Sequence, residues 1–107
     1  MSTNLSLAKV VQNLPEKFNP SYAEKLNAIF QFKISDASAF FIDVQETFCE
    51  SHYGEHPDPN VTLIMDEATL IRVINGEQDG MNAFMKGQLR AEGDVMLATR
   101  LGKLFSR

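Results

Sequence analysis

The sequence predicts an α+β fold, a sheet of mainly antiparallel strands covered on one face by helices. From Ile29 to Val44 the hydrophobic residues recur with a period of two, the signature of strands with one buried face. After Asp66 the period lengthens to that of helices, and one more alternating segment interrupts it at Gln88–Glu92. Strands first and helices interleaved later is the pattern of a sheet that buries one side. At 107 residues the chain has room for one domain, spanning residues 1–107.

Each element has its own warrant. Thr3 or Asn4 caps an opening helix in which Leu7, Val10, Val11 and Leu14 form one stripe, and Pro15 ends it. Asn19-Pro20 reads as a turn, and Ser21 to Asn27 as a short helical lead. In the first strand Phe30, Phe32 and Ile34 share a face, opposite Gln31, Lys33 and Ser35. Asp36-Ala37-Ser38 turns the chain into a hairpin partner, where Phe40, Ile42 and Val44 alternate with Phe41, Asp43 and Gln45. A third strand is expected from Thr47 to about Tyr53, before a loop from Gly54 to Asn60 whose two prolines deny the ladder its donors.

Val61 to Met65 alternates again and leads to Asp66, a helix cap for Glu67–Asn75, with Leu70, Ile71 and Ile74 as the apolar stripe and Gly76 at the end. Asp79 is placed to cap a short helix carrying Met81, Ala83, Phe84 and Met85, which Gly87 ends. Gln88 to Glu92 is the fifth strand. Gly93-Asp94 opens a last helix, Val95 to Phe105, with Leu97, Leu101, Leu104 and Phe105 on one side.

Composition narrows the function classes. Hydrophobic residues make up 44% and charged residues 22%, which excludes a disordered tail or linker. Cys49 is the only cysteine, so no intrachain disulfide can form, and a reducing compartment is expected. No secretory signal is visible at the amino end, and the longest apolar run, Ala39 to Ile42, is far short of the roughly 20 residues a bilayer span needs. The expectation is a cytoplasmic protein. A net charge of −4 argues against general nucleic-acid binding, but residues 1–85 carry −7 and residues 86–107 carry +3. That basic end fits an anionic contact, and equally a solvated helix face.

Catalytic constellations are weak. Cys49, His52 and His56 have a metal-like spacing, with Glu50, Glu55 and Asp58 nearby, yet the chain has no second Cys or His pair to close a site. No metal and no cofactor are therefore assigned, and a polar strand and loop is the reading favoured there. A G-x-S-x-G turn and a phosphate-binding glycine loop are both absent. Asp66-Glu67 is explained by capping. What remains is an abundance of large apolar side chains facing one side. They make either an ordinary core or the lining of a cavity, and Met81, Met85 and Met96 would suit variable contents.

From Phe30 onward the chain resembles the sterol carrier protein type 2 domain. The likeness covers the strands Phe30–Ser35, Phe40–Val44 and Val61–Met65, the last running into Asp66-Glu67. Its most specific part is the run Ile74 to Leu89, with Gly76, Asp79, Ala83, Phe84, Gly87 and Leu89 at the family's spacing, followed by Gly93, Asp94, Ala98 and Leu101. The resemblance implies a five-stranded, mostly antiparallel sheet, helices on one face and an apolar tunnel between them. It implies sterols, fatty acids, fatty acyl-CoA, phospholipids or isoprenoid quinone-like lipids as ligands, and no catalysis. The chain ends Phe105-Ser106-Arg107 and not in a peroxisomal Ser-Lys-Leu address, which fits a free-standing bacterial member of the family.

On that reading the tunnel is expected to be lined by Phe32, Ile34, Phe40, Ile42, Leu63, Met65, Ile74, Phe84, Met85, Met96, Leu97 and Leu101. The helix from Val95 to Phe105 would be its lid, with Arg100 and Lys103 meeting an anionic headgroup or membrane. Its partners would be a small-molecule lipid and, transiently, anionic membrane surfaces or acyl-lipid enzymes. The competing expectation is a non-catalytic protein–protein interaction module with a fully packed core.

Overall fold

A computed structural model describes Leu14, Phe18, Asn19 and residues 26–100. Five strands run in the order expected: β1 (Ala28–Ile34), β2 (Phe40–Val44), β3 (Cys49–Tyr53), β4 (Val61–Met65) and β5 (Arg90–Gly93). Among the described residues the helices α1 (Glu67–Ile74), α2 (Gly80–Met85) and α3 (Val95–Ala98) accompany them. The expected opening helix, apart from buried Leu14, the lead at Ser21–Asn27, apart from Leu26 and Asn27, and the end of the last helix lie outside the described residues.

The sheet order is β3-β2-β1-β4-β5, all antiparallel except the central β1–β4 pair. That parallel pair arises because the chain leaves β3 at one edge and returns on the far side of β1. In register, Phe30 pairs with Ile42 and with Val61, and Phe32 with Phe40 and with Leu63, so one face stacks apolar residues across three strands. Phe32 and Phe40 stack their rings at 4.7 Å and 4°. Phe30, Phe32, Phe40, Ile42, Leu63 and Leu70 are fully buried. The helices close this face through Leu70, Val73, Ile74, Ala83 and Leu97.

Local chemistry sets the helix limits. Asp66 Oδ1 accepts from Thr69 N–H at 2.8 Å, the expected cap of α1. At its other end Gly76 has φ +77°, its N–H bonds to Val73 O, and Glu77 N–H bonds to Arg72 O, the paired closure that a left-handed residue permits. The same pair recurs after α2, where Gly87 N–H reaches Phe84 O and Gln88 N–H reaches Ala83 O. Asp79 differs from expectation, because its side chain makes no capping bond and only its carbonyl serves, accepting from Ala83 N–H. Among the described residues no helix is long and apolar enough to cross a membrane.

Candidate functional site

Where the helical cover meets the edge of the sheet, α2, β5 and α3 leave an apolar cleft. Gly80, Met81 and Phe84 come from α2, Leu89 precedes β5, Ala91 belongs to it, and Val95, Ala98 and Thr99 come from α3 and its end. Strand alternation turns Leu89 and Ala91 to the same side, and the i, i+3 spacing of Val95 and Ala98 aligns them on one helix face. The cleft holds about 40 Å³. Its one side-chain hydroxyl, Thr99 Oγ1, donates to Met96 O at 2.7 Å, so the lining presents almost nothing to hold a charge.

At its mouth Phe84 is 43% exposed, alongside half-exposed Met81 and Val95, and Met85 and Met96 stand in solvent. Exposed large apolar side chains gathered in one place mark a surface that meets something apolar. Asp94 fixes the α3 side of this mouth, since its Oδ1 accepts from Met96 N–H at 3.1 Å.

The residues expected to line a tunnel divide into three groups. Phe32, Ile34, Phe40, Ile42, Leu63, Met65, Ile74 and Leu97 are brought together in one buried apolar cluster. Phe84 lines the cleft, while Met85 and Met96 lie on the surface near it. Leu101 and Lys103 lie outside the described residues, and Arg100 follows α3, its N–H bonded to Leu97 O at 3.0 Å. Among the described residues, Phe84 alone of the expected lining belongs to this cleft. Leu89, Ala91, Val95 and Ala98 were not among the expected lining residues, although the alternation at 88–92 carried the signal for the first two.

The other cluster separates. Cys49 pairs with Val44 and faces the core, whereas His52 pairs with Phe41 and faces the opposite side. Burial, and then the carboxylates of Asp43 and Glu50, push the Cys49 thiol up to about 12, away from the thiolate a ligand or nucleophile requires. His56 Nδ1 accepts from Asp58 N–H at 3.0 Å. Among the described residues no three such side chains are placed to hold a metal ion.

Comparison with known proteins agrees with this fold. Hydroxysteroid dehydrogenase-like protein 2 of Bos taurus is 30% identical over 83 residues, which is 75% of this chain and 20% of that protein. The chain thus spans about a fifth of that relative's length. Among solved structures, the stereoselective inverting sec-alkylsulfatase Pisa1 from Pseudomonas sp. superposes with a TM-score of 0.85 at 15% identity, covering 96% of this chain and 17% of that one. Palmitated SCP2L2 from Aedes aegypti gives 0.78 at 17% identity, covering 96% of both chains. A model of the SCP-2 sterol transfer family matches residues 7–106. With that match along nearly its whole length, and with the five-stranded α+β fold it shares with such domains, the chain belongs to the SCP-2 sterol transfer family.

Proposed function

We propose that this chain, a single unit over residues 1–107, is a non-catalytic lipid carrier that shields a long apolar ligand and delivers it to membranes or enzymes. The observation that carries the reading is the apolar cleft at Leu89, Ala91 and Phe84, with Met81, Val95, Met85 and Met96 exposed around it. The family described above transfers sterols by name, and the Aedes aegypti relative was solved in palmitated form. Fatty acids, fatty acyl-CoA, phospholipids, sterols and isoprenoid quinone-like lipids share the chemistry such a cleft recognises, a flexible hydrocarbon with its polar end outside.

The cleft of about 40 Å³ is too small for a whole chain, so binding opens it toward the core residues Phe32, Ile34, Phe40, Ile42, Leu63, Met65, Ile74 and Leu97, with Leu101 beyond. Burying about 300 Å² of lipid surface would gain on the order of 7 kcal/mol before entropy costs, enough for micromolar affinity. Arg100 and Lys103 supply the basic edge for an anionic headgroup or membrane, and the working compartment is the cytoplasm.

Titration with a fluorescent fatty acid, paralleled by native mass spectrometry, tests the reading. Saturable one-to-one binding in the micromolar range is expected, and none below about 100 µM refutes it. The exposed Met85 and Met96 favour a second reading, a protein–protein interaction module with a fully packed core. That reading predicts no lipid uptake and unchanged packing when lipid is added.

A further inference from the structure

The cleft sits beside β5, whose outer edge pairs with no strand among the described residues. Thr62 pairs with Glu92 and Ile64 with Arg90 across β4 and β5, and Asp94 N–H bonds to Asn60 O at 2.9 Å. Because bonded and non-bonded pairs alternate in an antiparallel ladder, the backbone groups of Arg90 and Glu92 point to β4 and those of Ala91 and Gly93 point outward. Among the described residues no hydrogen bond reaches those outward groups, and no strand lies beyond β5. An open edge of this kind is a template for another strand.

We propose that the strand it receives is β5 of a second copy of this chain, in antiparallel register about Ala91. Three observations point to self-pairing. In that register Ala91 exchanges both backbone bonds with its counterpart, and Gly93 N–H meets the Leu89 carbonyl of the second copy. The Leu89 N–H is already engaged with Ala83 O at 3.2 Å, which leaves its carbonyl to serve as the acceptor.

The second observation is charge. Arg90 of each copy falls directly opposite Glu92 of the other, in a non-bonded pair, where side chains approach closest. Both are exposed, and neither has an ion-pair partner within its own chain among the described residues. A one-residue slip would lose this pairing and the backbone bonds together.

The third is the apolar surface. Ala91 lines the cleft, so a two-fold axis beside Ala91 brings two clefts together on the same side of a ten-stranded sheet, with half-exposed Met81, Phe84 and Val95 of both copies around them. An isologous contact of this kind closes on itself and yields a dimer, not a fibre. The proposal holds whether or not the cleft takes lipid.

Sedimentation velocity from about 5 to about 500 µM tests it, with Arg90→Glu and Glu92→Arg as variants checked for folding by circular dichroism. The wild type is expected to dimerise reversibly in that range, and each single variant to weaken the dimer by roughly tenfold or more through like charges facing each other. An equimolar mixture of the two variants restores both complementary pairs, so it should recover the dimer. Ala91→Pro, which removes an outward N–H and no bond inside the sheet, should abolish it. A wild type that stays monomeric, variants that dimerise like the wild type, or a mixture that fails to recover would each overturn the proposal. So would protection of the Ala91 and Gly93 amides from hydrogen exchange in dilute monomer, since the edge would then be covered by the chain itself.

Discussion

Gln31 and His56 are joined across the face of the sheet opposite the described helices: Gln31 Oε1 accepts from His56 N–H at 2.7 Å. The same amide donates to Phe40 O and to Gly54 O, each at 3.0 Å, so one side chain ties β1 and β2 to the connection that crosses from β3 to β4. That connection buries Gln31 to 1% exposure, although it alternates with the core residues and was expected on a polar face.

Replacing Gln31 with Leu keeps the volume and leaves the His56 N–H and the Gly54 carbonyl without their partner. The expected loss is about 1–3 kcal/mol in urea unfolding, the cost of unsatisfied buried polar groups. A variant as stable as the wild type would show that water replaces the amide without penalty.

Gly93 has φ +93°, and a Cβ there would lie 2.7 Å from the Asn60 carbonyl. Gly93→Ala is expected to lose about 1–2 kcal/mol from the backbone conformation alone, with the collision adding to it. Gly76→Ala shares the conformational cost at φ +77° but has nothing within 4 Å of the new Cβ. The Gly93 variant must therefore melt at the lower temperature of the two.

The Asp66 cap predicts a pH dependence. Hydrogen bonds from Thr69, first from its side chain and then from its backbone, hold the Asp66 carboxyl below the usual carboxylate range. A depressed folded-state value adds stability above the unfolded value, and acid removes it as the group protonates. Asp66→Ala should cost about 1 kcal/mol near neutrality, and its gap to the wild type should shrink below about pH 4. A gap that stays constant down to about pH 2 contradicts the capping role.

Cys49 titrates in the opposite sense. With the thiol pushed up to about 12, the protonated form is favoured by folding, so this contribution is intact below the unfolded thiol's range and is lost as pH rises toward 12. Native protein should react slowly with a thiol reagent at pH 8 and rapidly once unfolded, and Cys49→Ala should flatten the alkaline decline in stability. Fast labelling of the native state would mean that the thiol is accessible and reactive.

Phe84 separates binding from folding, since it is 43% exposed at the cleft mouth. Phe84→Ala is expected to weaken fatty-acid binding by roughly tenfold, and to change stability much less than the roughly 3–5 kcal/mol that truncating a fully buried Phe costs. Equal lipid affinity in the variant would remove the cleft from the binding site.

The strands, the Asp66 cap and the glycine closures at Gly76 and Gly87 were legible in the sequence because each is written in near neighbours, through side-chain period or backbone freedom. The same local code marked Phe32, Phe40, Ile42 and Leu63 as one apolar face. It could not say whether that face is filled, because packing depends on which elements meet it. Only the tertiary structure decided that β1 lies parallel to β4, that Gln31 is buried beneath a crossing connection, and that Cys49 and His52 face opposite sides of the sheet. It also brought Phe84, Leu89 and Ala91 together in an apolar cleft beside β5. These are long-range pairings, set by the order in which strands join a sheet, and a one-dimensional pattern does not carry that order.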